Sequence, residues 1–436
     1  MTDLLAARAQ MAMSLAFHIV FAAAGMGLPL LMALAEAMWL RTGDPGWKAL
    51  CKRWAKGTAI LFAVGAVSGT VLSFELGLLW PGFMALAGPI IGMPFSLEGF
   101  AFFAEAIFLG IYLYGWDRVS PRLHFASGVA VAISGLLSGL FVICANAWMN
   151  DPTGYTMVNG QITEIRPWEA MFNPSSGPQG LHMAIAAYQA VGFGSAALHA
   201  LALLRRPDHK LHRRGFLLSL AVGGLFALLQ PLSGHRSAEH IAERQPMKLA
   251  AAEAHWETRS EAPALLGGWA DEEAETTVYA LEIPYLLSVL AHGDPQAEVE
   301  GLKEVPPEDR PPVALTHLAF DAMVGAGMAM AGLALVGAGL AWRRREALFS
   351  RRFLIAVVAA GPLGFLAIEA GWMVTELGRQ PWIIVGLMRT ADAVTPVEGL
   401  AAPFAVFTLL YVGLSAVVVR LLRRQVLISL DEDAHA

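Results

Sequence analysis

Nine apolar runs of membrane-spanning length alternate with polar segments along the 436-residue chain. A hydrocarbon core about 30 Å thick needs about 20 residues at 1.5 Å per residue, and each run reaches that length. Because every backbone polar group in lipid must be satisfied within its own segment, these runs are expected to be helices. The predicted transmembrane helices are 10–40, 55–80, 94–115, 125–148, 179–204, 215–235, 313–342, 353–373 and 397–422.

Lysine and arginine are concentrated in the segments that follow odd-numbered helices. Twenty of the 30 lie in 41–56, 116–124, 205–214, 343–352 and the tail after 419. Cytoplasmic loops carry this excess in membrane proteins, so the N-terminus is predicted outside and the C-terminus in the cytoplasm. The sequence therefore predicts an all-α membrane protein with nine transmembrane helices.

One connection is far longer than a turn. Residues 236–312 form a hydrophilic segment of 77 residues that the predicted orientation places outside. Loops of this length are usually functional or disordered. The predicted organisation is helices one to six over 1–235, an outer loop over 236–312, and helices seven to nine with a cytoplasmic tail over 313–436.

Composition narrows the class further. The chain is 56% hydrophobic and 15% charged, with a mean hydropathy of +0.53, which excludes an ordinary soluble protein. Residues 11–40 are too long for a signal peptide and end in no small-residue cleavage site, so they are predicted to remain as a span. The two cysteines form no CxxCH motif, which excludes covalent c-type haem.

Polar residues within the predicted helices converge on the outer half of the bilayer. Charged groups there are costly, about 3 kcal/mol for a central Asp, so each needs a reason. The candidates are His18, Glu98, Glu105, His182, Met323, Glu369 and Glu376. Taken singly, a histidine of this kind more often bonds a neighbouring helix, and Met323 more often packs in the core. Glu98 and Glu105 fit either a buried hydrogen-bonded pair or a proton relay.

Taken together, these residues form a possible ligand set for haem iron. A His/Met pair is typical of low-spin electron-transfer haems, whereas a single axial ligand leaves iron open to dioxygen. Two other classes stay open at this point: a haem-free transporter or channel that uses buried carboxylates, and a pure electron-transfer cytochrome b.

Four segments resemble subunit I of the bd-type quinol oxidases. PFSLEGFAFFAEAIFLGIYLYGWDR (94–118) resembles the family's third helix, and CANAWMNDPTG (144–154) resembles the end of its fourth helix. QPMKLAAAE (245–253) resembles the quinol-binding part of its outer loop, and TELGRQPW (375–382) resembles its GRQPW signature. The resemblance runs the length of the chain.

The resemblance implies a quinol:dioxygen oxidoreductase with three haems. His182 and Met323 would be the axial ligands of a low-spin haem b. His18 and Glu376 would each hold one of two further haems, a high-spin haem b and a haem d or a further haem b in its place. Which of these two residues holds the oxygen-reactive haem stays open.

The resemblance also implies roles for polar residues around the haems. Lys248 and Glu253 would contact quinol in the outer loop, with a solvated surface pair as the alternative. Glu98 and Glu105 match the family's acidic pair beside the high-spin haems. Arg8, Trp372 and Arg379 match residues near haem propionates or rings, where arginine suits planar carboxylates.

The family also implies partners and a mode of energy conversion. The expected partners are a bd-type subunit II, quinol, dioxygen and the lipid bilayer, with a small single-helix subunit left open and no nucleic acid. Quinol protons would leave outside and protons for water would come from inside, so charge would cross the membrane without a pump.

The sequence departs from the family in two places. The outer loop is of the family's short type, and Asp321 stands where many members have arginine, two residues before Met323. An ionised Asp321 near the low-spin haem should lower its potential, and a protonated one should not.

Overall fold

The helices of the computed structural model account for most of the chain. The structure describes residues 1–159 and 161–432, with side chains except at 161 and 425–432, so residues 433–436 of the predicted tail lie outside the described residues. The helices are α1 (Asp3–Thr42), α2 (Pro45–Leu79), α3 (Pro81–Tyr114), α4 (Pro121–Asn150), α5 (Pro167–Met171), α6 (Ser176–Arg205), α7 (Lys210–Arg244), α8 (Pro246–Ala252), α9 (Leu286–His292), α10 (Val313–Arg343), α11 (Arg351–Ala360), α12 (Leu363–Leu377), α13 (Thr390–Ala393) and α14 (Ala401–Glu432).

Nine candidate membrane spans occur within the described residues, as the sequence predicts. By length and composition they are α1, α2, α3, α4, α6, α7, α10, α11 together with α12, and α14. The spans are longer than the apolar runs because their helices continue into the polar ends. α7, for example, runs nine residues past the predicted boundary at 235.

α3 differs most from its predicted extent. It begins at Pro81 and not near 94, so Glu98 lies in the middle of the helix and does not open it. Residues 81–93 are apolar and contain Pro89, and Pro94 follows them. Helix-breaking residues of this kind are tolerated in membranes, where neighbouring groups satisfy the freed backbone.

The eighth span is interrupted. α11 ends at Ala360 and α12 begins at Leu363, with Gly361 and Pro362 between them. Proline cannot donate the backbone hydrogen bond that would continue the first segment, which explains the position of the break. Among the described spans, the other eight are each a single continuous helix.

α6 lies at the centre of the bundle, in contact with α1, α4, α7, α11 and α12. One close approach is between Gly192 on α6 and Gly223 on α7, where a Cβ on Gly192 would come within 2.4 Å of the Gly223 backbone. Small residues allow such contacts between helices in membranes, where packing rather than the hydrophobic effect drives association.

The predicted outer loop is folded, and it is not entirely helical. It contains α8, α9, two 3-10 turns and three two-stranded antiparallel sheets. The 3-10 turns are Leu302–Glu304 and Pro307–Asp309, and a third follows α10 at Arg345–Phe349. The strands of the chain are β1 (Tyr155–Val158), β2 (Gln161–Ile165), β3 (Arg259–Ser260), β4 (Ala264–Leu266), β5 (Trp269–Asp271), β6 (Thr276–Val278), β7 (Leu281–Ile283), β8 (Glu298–Val299), β9 (Trp382–Ile384) and β10 (Met388–Arg389).

The sheets of this folded loop pair β3 with β8, β4 with β7, and β5 with β6. Two small apolar clusters stabilise this loop, one around Leu287 and Val299 and the other around Trp256 and Leu302. β1 pairs with β2 between α4 and α5, and β9 pairs with β10 after α12.

Ion pairs join the loops at each end of the bundle. At one end they link the basic loops that follow odd-numbered spans: Lys48–Asp117 (3.2 Å), Arg213–Glu346 (2.5 Å) and Arg214–Asp44. At the other end they tie the folded loop to its surroundings: Arg244–Asp151 (2.7 Å) and Arg389–Asp309. The folded loop and the basic loops therefore lie at opposite ends of the bundle.

Candidate functional site

A buried lysine lies where the folded loop meets the ends of α4 and α12. Lys248 is 4% exposed, and its Nζ donates hydrogen bonds to the side-chain oxygens of Asn150 and Gln245. Its stem lies against Gly378, where a Cβ would come within 2.6 Å. Burial, followed by the charge of Arg379, lowers the pKa of Lys248 to about 7. Lys248 can therefore exchange a proton near neutral pH.

Glu376 and Arg379 lie beside this lysine at the end of α12. The Asn146 side-chain amide donates to Glu376 Oε1 at 2.6 Å, and Arg379 donates to Oε2. Arg379 also donates through Nη1 to the Ile383 carbonyl at 2.6 Å. Its Nε is buried with no hydrogen-bond partner among the described residues, so the guanidinium keeps a donor available for a further acceptor.

Glu253 follows α8 directly and is 5% exposed. Burial, and after it the nearby charge of Asp321, raises the pKa of Glu253 to about 8, against a hydrogen bond from the Leu265 backbone N–H that lowers it. This carboxyl therefore holds a proton at neutral pH and releases it in mildly alkaline solution. Lys248 and Glu253 are both buried, which contradicts the alternative of a solvated surface pair.

His18 lies between α1 and α2. Its Nδ1 is 2.9 Å from Ser68 Oγ, and a Cβ on Gly69 would come within 3.0 Å of its Cε1. A hydrogen bond at Nδ1 orients the ring and leaves Nε2 as the nitrogen suited to a metal.

His182 lies between α6 and α7. Ser233 Oγ is 3.0 Å from its Nδ1, and the Gln230 amide nitrogen is 3.1 Å from its Nε2. Gln230 Oε1 is buried and has no hydrogen-bond partner among the described residues. The amide of Gln230 would have to turn aside for Nε2 to bind a metal.

Met323 on α10 packs against α12. A Cβ on Gly371 would come within 2.9 Å of the Met323 sulfur, so glycine is needed for this approach. Trp372 follows Gly371 and is half-buried. α10 contacts α7 and α12, and both of these helices contact α6, so Met323 on α10 and His182 on α6 lie on helices that share two neighbours.

Glu98 and Glu105 lie two turns apart on α3, toward α4 and α1. Ser138 Oγ donates to Glu98 Oε1 at 3.4 Å. Glu105 is 4% exposed and lies between two glycines, with Cβ positions on Gly25 and Gly135 at 3.7 and 3.3 Å from its carboxyl. The two carboxyls follow one helix face, as a relay requires, and do not bond each other as a pair.

Arg8 lies apart from the buried cluster. It is exposed on the second turn of α1 and lines a groove together with Trp256, Arg310 and Arg389. Asp321, in contrast, is bound to the folded loop, since its Oδ2 accepts from the Gly267 N–H at 3.0 Å.

Several hydrogen-bonding partners of these residues were not singled out from the sequence: Asn150, Gln245, Gln230, Ser68, Ser138 and Ser233. Asn150 and Gln245 lie inside the family-like segments 144–154 and 245–253, so a carboxamide beside a functional residue was the available signal. Gln230 lies in an apolar run without any motif, and its contact with His182 is apparent only from the packing of α6 against α7.

The donor set fits haem groups. Imidazole and thioether are axial ligands of haem iron, and a carboxylate is an oxygen donor suited to iron. Within the described residues no three His, Cys, Asp or Glu gather into one cluster for a bare ion, so the donors stand separately. Arg379 Nε provides a donor for an acidic group, and Gly69 and Gly371 let His18 and Met323 approach the neighbouring helices closely.

These features define a multi-pass membrane protein with a buried polar site under a folded loop. The family model for cytochrome bd terminal oxidase subunit I matches residues 6–428. The chain is 38% identical over 428 residues to the putative cytochrome bd menaquinol oxidase subunit I of Bacillus subtilis, covering 97% of this chain and 96% of that protein.

Two further comparisons agree. Cytochrome bd ubiquinol oxidase subunit 1 of Bacillus subtilis is 34% identical, over 100% of this chain and 96% of that protein. The structure of bd oxidase from Geobacillus thermodenitrificans matches with a TM-score of 0.93 and 40% identity, over 97% of this chain and 98% of that one.

The chain belongs to the cytochrome bd terminal oxidase subunit I family. The family description names a cytochrome, which is a haem protein, and a first subunit, which works with a second.

Proposed function

We propose that this chain is the haem-bearing subunit of a terminal quinol oxidase in the bacterial cytoplasmic membrane. It oxidises quinol at the outer face and reduces dioxygen to water, with net charge transfer across the membrane and no proton pump. One observation carries the proposal: Lys248 of the folded loop is buried against Gly378, beside Glu376 and Arg379. The candidate quinol contact and a candidate iron ligand thus belong to one polar cluster.

Three haems have candidate ligands in this chain. His182 and Met323 would hold a low-spin haem b, and His18 and Glu376 would each hold one of a high-spin haem b and a haem d or further haem b. When bound, these groups supply electron transfer from quinol and the reduction of dioxygen. Ser68 and Ser233 orient the two imidazoles through Nδ1, and Arg379, like Arg8 and Trp372, is suited to haem edges.

Lys248 and Glu253 would bind quinol and take its protons. Lys248 Nζ, now shared between Asn150 and Gln245, can donate to a quinol oxygen. Glu253 can accept a quinol proton when it is ionised, and its pKa of about 8 lies close to the operating range of a general base. Burial of both groups excludes water from the reacting hydroxyls.

Protons for water would arrive from the opposite side. Glu98 and Glu105 line the middle of α3 in the direction of α4, where Ser138 bonds Glu98. They would form the upper end of a path that subunit II completes. Because quinol protons leave outside and these protons come from inside, the reaction is electrogenic without conformational pumping. The presence of a further, small single-helix subunit is left open.

The two other classes of protein, a haem-free transporter or channel and a pure electron-transfer cytochrome b, are less well supported. Transporters bind substrates at helices broken at corresponding positions of two halves. Within the described spans, the break at Gly361–Pro362 has no counterpart break. An electron-transfer cytochrome b would need no loop with a buried Lys248 and Glu253.

The test is Met323→Leu in the complex with subunit II, studied by reduced-minus-oxidised spectra and quinol-dependent oxygen uptake. Leucine fills similar space but cannot ligate iron, so the low-spin band and quinol oxidation should both be lost. Met328→Leu is the matched control, because Met328 is 57% exposed on the same helix.

Three outcomes would contradict parts of the proposal. A colourless unaltered complex would exclude haem, and low-spin bands alone would indicate an electron carrier. A Met323→Leu variant that keeps its low-spin spectrum and its quinol oxidation would remove Met323 from the ligand set.

A further inference from the structure

We propose that His317 is a positioning residue for quinol oxidation, holding Glu253 in place through two backbone carbonyls of the folded loop. The proposal rests on the proposed function, because it assigns Glu253 to the quinol site. His317 lies at the start of α10 and does not itself reach the reacting groups.

The imidazole of His317 connects two separate parts of the loop. It is 0% exposed, its Nδ1 is 2.8 Å from the Ala252 carbonyl oxygen, and its Nε2 is 3.1 Å from the Gly267 carbonyl oxygen. Both distances are those of hydrogen bonds. One side chain of a transmembrane helix therefore binds the loop at two points 15 residues apart in sequence.

The two bonded carbonyls lie on either side of Glu253 and its partner. Ala252 directly precedes Glu253 along the chain, at the end of α8. Gly267 follows β4, and the Leu265 backbone N–H of that strand is near enough to the Glu253 carboxyl to lower its pKa. His317 thereby links the backbone that carries Glu253 to the strand beside its carboxyl.

Asp321, one turn along α10, strengthens the same attachment. Its Oδ2 accepts from the Gly267 N–H at 3.0 Å and lies 3.4 Å from His317 Nε2. Gly267 has φ of +64°, a left-handed conformation that glycine adopts without strain. Both polar groups of this one peptide residue are thus fixed by α10.

The hydrogen-bond count explains why histidine is suited to this position. Each ring nitrogen of His317 faces one carbonyl oxygen, and an imidazole N–H can donate to either of them. Leucine would leave two buried carbonyls without their donor, whereas the glutamine amide has two N–H groups and can restore part of the attachment.

The experiment compares His317→Leu and His317→Gln in the complex with subunit II. We measure kcat and KM with ubiquinol-1, and oxygen uptake with a small water-soluble donor, tetramethylphenylenediamine, that does not need the quinol site. Hydrogen exchange of residues 250–268 reports the attachment itself. Ser288→Ala is the matched control, because Ser288 is buried and makes two hydrogen bonds within the same loop, to Ala262 N–H and the Ala297 carbonyl.

We expect kcat/KM for ubiquinol-1 to fall about 10- to 100-fold in His317→Leu, since a small misplacement of a reacting group has effects of this size. Uptake with the small donor should be unchanged, exchange at 250–268 should accelerate, and His317→Gln should recover part of the loss. Combining His317→Leu with Glu253→Gln should add little to the loss caused by Glu253→Gln alone.

Three results would each overturn the proposal. In His317→Leu, activity could fall equally with ubiquinol-1 and the small donor, or kcat/KM for ubiquinol-1 could stay unchanged. In the double variant, the losses of the two single variants could be fully additive. Failure of the proposed function is distinguishable. An unaltered complex that oxidises no quinol would contradict that function, while faster exchange at 250–268 in His317→Leu would still support the attachment.

Discussion

Burial changes the chemistry of two side chains in the folded loop that are ordinarily simple ions. Lys248 and Glu253 are 4% and 5% exposed, and desolvation is the largest cause of both pKa shifts. Desolvation disfavours the charged form, so it lowers the pKa of the lysine and raises that of the carboxyl. The two pKa values, about 7 and about 8, are close to neutral pH, so either group can gain or lose a proton there at little free-energy cost.

This shift predicts a pH dependence for quinol oxidation. Glu253 accepts a proton only when ionised, and its pKa is raised to about 8, so turnover should rise as pH increases through about 8. Glu253→Gln does not titrate and should lose this rise, with rates that stay at or below the low-pH level. The measurement is ubiquinol-1 oxidation by the complex between pH 6 and 9.5.

Glu257→Gln is the control, because Glu257 lies in the same segment with its side chain 66% exposed. It should keep the rise near pH 8. If Glu253→Gln showed the same rise as the unaltered protein, another group would be the titrating base.

At the scale of helices, glycine determines how closely the spans pack. Gly192 and Gly223 bring α6 and α7 into backbone contact, and Gly371 lets α12 approach Met323. The candidate site depends on this packing because its candidate ligands lie on different helices. Each candidate ligand is held by a residue of the neighbouring helix, such as Ser68 for His18 and Ser233 for His182.

Gly192→Ala should therefore destabilise the protein. The new Cβ would meet the Gly223 backbone at 2.4 Å, and a backbone cannot move aside as a flexible side chain can. Overpacking of this kind costs about 1–3 kcal/mol, which should appear as a lower thermal transition in detergent.

Gly177→Ala on the same helix is the matched control, because no atom beyond the neighbouring residues lies within 4 Å of its Cβ position. It should leave the transition unchanged. Equal transitions for the two variants would show that the α6–α7 contact adapts without cost.

Much of this helical architecture follows from sequence, because span length and apolar composition are local properties. The nine spans within the described residues agree with the nine predicted runs. The predicted start of α3 was wrong by 13 residues. Pro89 and Pro94 are residues that usually break a helix, but α3 continues through both, as membrane helices can. The folded loop could be located but not described, because its short strands pair across up to about 40 residues and carry no periodic signal.

Only part of the candidate site could be predicted from the sequence. Family-like motifs marked Lys248, Glu253, Glu376 and Arg379, and the structure brings Lys248, Glu376 and Arg379 together. Asn150 as the partner of Lys248, Gln230 as the partner of His182, and the attachment through His317 arise from contacts between distant segments. Such contacts have no local signature in a single sequence.

At the scale of the whole molecule, charge is divided between the two ends of the bundle. Basic loops are joined by ion pairs at one end, and the folded loop covers the other. The positive-inside rule then predicts that the folded loop faces outward. This orientation is needed for electrogenic turnover, because quinol protons must leave on the side opposite to that which supplies protons for water.

Cysteine labelling tests the orientation directly. Tyr279 in the folded loop is 95% exposed, and Asp208 between α6 and α7 has a fully exposed side chain. The native Cys51 and Cys144 are 0% and 8% exposed, so they should contribute little background. In spheroplasts, a membrane-impermeant maleimide should label Tyr279→Cys at once, and Asp208→Cys only after the membrane is permeabilised. The opposite pattern would place the quinol site in the cytoplasm, and the proposed separation of charge would fail even if quinol oxidation itself were observed.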